Sequence, residues 1–110
     1  MRNDAGETPF MIACREGRLD LIKHLNGRYE STLIYPEAES LDRWTGLSYA
    51  CSNGFLNTIE YLVIIMQMNL NAQDRFKRTP LHWAARFGNE KVALLLLQLG
   101  ADYKLVDGES

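Results

Sequence analysis

Apolar side chains recur along this chain at helical spacing in three separate stretches. Leu21, Ile22 and Leu25 form the first set, Ile59, Leu62 and Val63 the second, and Val92, Leu95 and Leu96 the third. Steps of one, three and four residues put such side chains on one stripe of an α-helix, whereas a half-buried strand would alternate. The spacing predicts helices over roughly 19–26, 56–67 and 90–98. Each stretch follows a glycine, Gly17, Gly54 or Gly88, the residue type suited to a left-handed stop at the end of a preceding helix. Ahead of each glycine lies a small pair, Ala13-Cys14, Ala50-Cys51 or Ala84-Ala85, which allows a neighbouring helix to come close. The pattern therefore predicts three pairs of helices.

The first helix of each pair begins with a recurring segment. Thr79-Pro80-Leu81-His82-Trp83-Ala84-Ala85 has weaker copies at Thr8-Pro9-Phe10-Met11-Ile12-Ala13-Cys14 and Thr45-Gly46-Leu47-Ser48-Tyr49-Ala50-Cys51. The three threonines stand 37 and 34 residues apart, and so do the three glycines. Thr8 and Thr79 can cap a helix by accepting from an orphaned backbone N–H, and Pro9 and Pro80 then fall where a missing N–H costs little. A period in this range denotes a stacked array.

The third copy resembles the ankyrin repeat, whose signature is T-P-L-H-x-A. The likeness extends from Asp74 through Gly88 to Leu94-Leu95-Leu96-Leu97 and Gly100-Ala101-Asp102, and covers roughly residues 3–107 in all. It implies an all-α fold, an α-solenoid of three stacked helix–turn–helix units with β-hairpin loops projecting at about right angles. The whole of 1–110 would be one domain, with repeats at about 3–39, 40–73 and 74–106, and 107–110 would open a further repeat or form a tail. No unit could bury its own apolar face, and about three are needed for a stable stack. The very apolar Leu94–Leu97 at the end of the array implies further repeats or domains in the same parent chain.

Composition excludes several classes. The net charge of −2 and pI of about 5.6 argue against general nucleic-acid binding, which needs a basic surface. The longest strongly apolar run, Tyr61 to Met66, is far short of the roughly 20 residues of a membrane span, and no cleavable signal is expected. Cys14 and Cys51 hold one position in consecutive units. Stacking separates such positions beyond the reach of a disulfide, so both read as small buried apolar residues of a reducing compartment. The localisation expected is intracellular, cytoplasmic or nuclear. Neither cysteine has a partner at zinc-ligand spacing, and no cofactor is implied.

Two departures from regularity stand out. The join from Gly27 to Asp42 is about three residues longer than the other and holds Tyr29, Leu33, Ile34, Tyr35 and Pro36. It predicts an enlarged loop that either folds back on the stack or meets a partner. The second unit also lacks a glycine after its outer helix, where Gln67 stands near the position of Gly100, and that helix reads as one residue longer.

The sequence offers no persuasive catalytic set. By resemblance His82 is structural, binding around the helix start, and His24 falls on an outer helix. The expectation is binding without catalysis. Ankyrin-like stacks present a concave surface made of hairpin tips and first helices. Carried onto this chain, the variable positions of that surface are Glu7 and Arg15 in the first unit, Arg43 and Trp44 in the second, and Arg75, Phe76, Arg78, Arg86 and Phe87 in the third. Trp44 either lines the groove or folds onto a neighbouring tip, and Trp83 reads as packing between first helices. Asp4, Glu7 and Glu16 make the first unit acidic and Arg75, Lys77, Arg78 and Arg86 make the third basic. The function expected is a protein-interaction module that takes a protein or peptide. The alternatives are a regulatory or targeting domain of a larger enzyme, such as a kinase or acyltransferase, and a self-associating scaffold.

Overall fold

The structure is a computed structural model that describes residues 2–28 and 39–104. It contains α1 (Pro9–Arg15), α2 (Leu19–Arg28), α3 (Gly46–Asn53), α4 (Leu56–Glu60), α5 (Pro80–Arg86) and α6 (Glu90–Gln98). A π-helical segment, Tyr61–Ile65, extends α4 without a break. No helix among the described residues is long and apolar enough to cross a membrane. Most of the long join between the first two units, 29–38, lies outside the described residues, and so does the tail from 105.

The three threonines start the three inner helices. Thr8 Oγ1 accepts from Met11 N at 3.2 Å. Thr45 and Thr79 go further and form capping boxes, because the third residue in returns the bond. Ser48 Oγ accepts from Thr45 N at 3.3 Å, and His82 Nδ1 accepts from Thr79 N at 2.9 Å. Serine and histidine thus do the same work by different atoms, whereas Met11 cannot. His82 is a cap, and its Nδ1 carries a lone pair rather than a proton when it accepts.

The inner helices pack in order, α1 on α3 and α3 on α5. Their small faces meet: Phe10, Ala13 and Cys14 from α1, Leu47, Ala50 and Cys51 from α3, and Ala84 from α5 are all buried. The outer helices close the back of this layer with Ile22, Ile59, Leu62, Val92 and Leu96. Both thiols are free and inaccessible. Burial pushes the Cys14 thiol up to about 12 and raises that of Cys51 as well, which leaves little thiolate to react.

Gly46 takes the place that proline holds in the other units, for a steric reason. A Cβ there would lie 2.7 Å from Cys14 Sγ and 2.9 Å from Phe10 Cε2. Proline, or any side chain, would force α1 and α3 apart. Gly17 faces a similar limit with its φ of 70°, since an added Cβ would meet the Phe55 ring at 2.8 Å.

The hairpin loops of the resemblance are present as tight turns, and no strand occurs among the described residues. Each tip closes with two backbone bonds, one between residues four apart and one between residues three apart: Asn3 N to Glu7 O and Gly6 N to Asn3 O, Ser40 N to Trp44 O and Arg43 N to Ser40 O, Asp74 N to Arg78 O and Lys77 N to Asp74 O. Gly6, Arg43 and Lys77 hold the left-handed position that such a turn requires. Successive tips are joined by Leu41 N to Ala5 O and Arg75 N to Asp42 O, both 3.0 Å. One bond per junction links the tips but does not build a ladder.

The irregular outer helix of the second unit is resolved by the π segment. Met66 N donates to Tyr61 O at 3.1 Å, a wider loop that absorbs one extra residue. Gln67 then takes a left-handed φ of 57° where Gly100 has 101°. Beyond this point the two units are again in step, with Met68 N donating to Leu62 O and Ala101 N to Leu96 O.

Replacing Gly46 by alanine should destabilise the fold. Overpacking costs about 1–3 kcal/mol, against at most about 1 kcal/mol that alanine ordinarily gains over glycine in a helix. The urea midpoint should fall with an unchanged slope, and Cys14→Ala in the same chain should restore part of the loss. A higher midpoint for Gly46→Ala alone would refute the close approach.

Candidate interaction face

The side chain that opens each tip fixes its shape. Asn3 Oδ1 accepts from Ala5 N and Glu7 N, Ser40 Oγ accepts from Trp44 N, and Asp74 Oδ1 accepts from Phe76 N and Arg78 N. These three positions share one register in the array, and the residue types are those that bond their own backbone in turns. The tips are therefore held rigid before any partner arrives.

Asp74 does more than shape its turn. Its Oδ2 accepts from the indole N–H of Trp44 at 3.0 Å and from that of Trp83 at 2.7 Å. One buried carboxylate thus gathers four donors from two units. The tryptophan rings lie 5.4 Å apart and tilted by 57°. Trp44 also meets Tyr49 at 5.1 Å, and Trp83 stacks on Phe87 at 5.5 Å. Tyr49, Trp44, Trp83 and Phe87 form a row that runs from the second unit into the third. Such tilted and offset pairs are favourable ring arrangements.

Cations line the third-unit end of this row. The Arg78 guanidinium lies 5.1 Å from the Trp83 ring centre and 5.5 Å from that of Phe76. The Arg86 guanidinium lies 5.9 Å from Trp83. At the opposite end, Glu7 Oε1 accepts from Arg15 Nη1 at 2.6 Å and from Asn3 Nδ2 at 2.9 Å. Burial pushes the Glu7 carboxyl up, but bonds from Asn3, Tyr49 and Arg15, with the Arg15 charge, hold it below its ordinary range. Tyr49 shifts the other way. Burial and the adjacent Glu7 raise its hydroxyl, against bonding to Ser40 and the Arg15 charge.

The nine residues expected at a contact surface divide on this geometry. Arg43, Arg75, Phe76, Arg86 and Phe87 are exposed, and Arg15 and Trp44 are half-buried. Glu7 and Arg78 are not exposed: each retains only 5–6% of its accessibility. The expectation of open charge at these two positions is corrected by their partners, since Glu7 is enclosed by Arg15 and Asn3 and Arg78 by two aromatic rings. Arg43 pairs with Glu39 at 3.5 Å and Arg75 with Asp42 at 3.7 Å. Trp44 folds onto the third unit through Asp74 and Trp83 and stays half-buried.

Sequence reasoning missed Asp74 and Tyr49 as members of the face. Asp74 served only as a unit boundary, although its register with Asn3 and Ser40 was available as a signal. Tyr49 aligns with Ile12 and Trp83 in the repeat, which marks the same inward-facing column. Among the described residues no group of three His, Cys, Asp or Glu side chains could hold a metal ion.

Comparison with known proteins places this geometry. A family model of ankyrin repeats in three copies matches residues 10–107. The chain is 34% identical over 103 residues to the palmitoyltransferase AKR1 of Lachancea kluyveri, an overlap of 91% of this chain and 13% of that protein. It is 38% identical over 98 residues to the human transient receptor potential cation channel subfamily A member 1, covering 87% of this chain and 8% of the channel. It is 30% identical over 102 residues to the probable 26S proteasome regulatory subunit p28 of Saccharomyces cerevisiae, covering 89% and 42%. The chain therefore spans less than half the length of each of these relatives.

Two outcomes follow from the buried carboxylates. Asp74→Asn puts N–H groups where indole donors converge, and a hydrogen bond to a charged group contributes about 1.5–3 kcal/mol. Its urea midpoint should fall and tryptophan emission should shift to longer wavelength as Trp44 and Trp83 gain water; an unchanged spectrum would remove Asp74 from this role. For Glu7 the folded-state carboxyl is depressed below its ordinary 4.5. Its contribution is then present above that value and lost as the pH falls through the folded one. Glu7→Gln should lower stability at neutral pH, and the gap from the parent chain should close in acid. A gap independent of pH would contradict the assignment.

Proposed function

The chain belongs to the ankyrin-repeat family, and from that premise we propose that it is a protein-interaction module that binds a protein or peptide along its tips and inner helices, without catalysis. The observation that carries this reading is the row Tyr49–Trp44–Trp83–Phe87. It crosses two units, is held by Asp74, and ends in the exposed ring of Phe87, with exposed Phe76 joined to Trp83 through Arg78. Aromatic and arginine side chains on a rigid base are the residue types that dominate binding energy at interfaces. A preformed surface also loses little freedom when it binds.

Relatives as different as a palmitoyltransferase, a cation channel and a probable proteasome regulatory subunit support a portable module rather than an activity shared by all. The reading extends to a second element, a further stacked unit of the same parent chain against α5 and α6. Cys14 and Cys51 are buried by the unit that follows them, while Ala85 at the same register is exposed, with Leu94 and Leu97 also exposed nearby in sequence. Buried free thiols suit a reducing compartment, so an intracellular setting is part of the proposal.

Selection of binders from a displayed peptide library tests the surface. Phe76→Ala and Phe87→Ala, both at exposed positions, should weaken the selected binders on the order of tenfold. Ile64→Ala on the outer helix of the second unit should leave them unchanged. Binders indifferent to both phenylalanines would reject this face.

A further inference from the structure

The third-unit end of the aromatic row combines two features that call for one kind of ligand. Phe76 and Phe87 keep 51% and 58% of their accessibility. Both are tied to Trp83, Phe87 by direct stacking with planes 23° apart and Phe76 through the Arg78 guanidinium between them. The two exposed rings thus flank Trp83, and we call this arrangement the ledge.

The same ledge is cationic. Arg75, Lys77 and Arg86 are exposed in this segment, whereas the charge of Asp74 is engaged by four donors beneath the surface. Arg75 has a carboxylate neighbour, but the Arg75–Asp42 pair is long and both side chains are about two-thirds exposed, so it competes little with a ligand. Lys77 and Arg86 make no ion pair among the described residues. The Arg86 guanidinium lies 5.9 Å from the Trp83 ring centre and is exposed, and its planar fork suits a carboxylate.

Resting on the reading of this face as a peptide-binding surface, we propose that Phe76, Lys77, Arg86 and Phe87 form a subsite for an acidic segment of a partner protein, with an aromatic or large aliphatic residue next to aspartate or glutamate. The apolar residue covers the Phe76–Phe87 ledge, and its acidic neighbour meets Arg86 and Lys77. The first unit cannot offer the same site, since Arg15 is already closed on Glu7 and Asp4 and Glu16 lie on its surface.

The test is a random displayed peptide library selected on the chain, sequenced, and repeated on Arg86→Glu and Lys77→Glu. Binders sensitive to Phe87→Ala should be enriched in aspartate or glutamate adjacent to an aromatic or leucine residue. A synthetic peptide of that type should bind about tenfold more tightly than its lysine-substituted copy, read by tryptophan fluorescence, and Arg86→Glu should reverse the preference. Added salt should weaken the acidic peptide most. Binders sensitive to Phe87→Ala but without acidic enrichment, or acidic peptides indifferent to Arg86→Glu, would overturn the subsite and leave the face standing. Binders that ignore both Phe76 and Phe87, or no binders at all, would overturn both. Tighter binding of a short oligothymidine than of the acidic peptide would replace the proposed partner with single-stranded nucleic acid.

Discussion

The structure depends on one constraint: each helix pair has an apolar side that it cannot cover by itself. α1 is too short to enclose Phe10 and Cys14, and it buries them only by lying against α3. α3 in turn shares its other side with α5. Burying such side chains contributes on the order of 1.5–3 kcal/mol each for the larger ones, which outweighs the capping bonds at about 1 kcal/mol. The threonine caps decide where each helix starts, but the shared interior decides whether it persists. The limits on side-chain size at Gly46 and Gly17 follow from the same closeness, since both glycines sit where a following or preceding unit presses in.

Rigidity at the tips follows from that stacking and supplies the surface proposed for binding. Asn3, Ser40 and Asp74 each bind the backbone of their own turn, and single bonds join consecutive tips. Once the tips are aligned, a side chain from one unit reaches the next. Trp44 reaches Asp74 in this way, across 30 residues of sequence. The charge of Asp74 is spent on holding tryptophans, and the charge of Glu7 on holding Arg15. The exposed charge of the face is therefore less even than the residue count alone implies, with its cationic character concentrated at the third unit.

Much of the fold was legible in the sequence because it rests on short-range rules. Threonine before an apolar stretch, helical spacing in Leu21-Ile22-Leu25, and glycine at each helix end are all local signals. The extra residue in the second outer helix was countable too, although only the structure shows that it is absorbed as a π turn at Tyr61–Ile65. The candidate face was less legible. Its outline, with Trp44, Phe76, Arg86 and Phe87, came from register in the repeat. The burial of Glu7 and Arg78 depends on which side chain of the next turn or unit lies over them, and the pairing of two indoles on Asp74 depends on the offset between neighbouring tips. Neither is encoded by a local pattern.

The most direct test of the shared interior uses probes already present in all three units. Cys14 reports on the first, Cys51 on the second, and the Trp44–Trp83 pair on the junction of the second with the third. Thiol labelling followed site by site across a urea titration should find both cysteines unreactive in the folded chain, becoming reactive at the denaturant concentration where tryptophan fluorescence changes. Labelling of Cys14 at lower urea, with the tryptophan signal intact, would show that the first helix pair leaves without disturbing the others and would contradict the account.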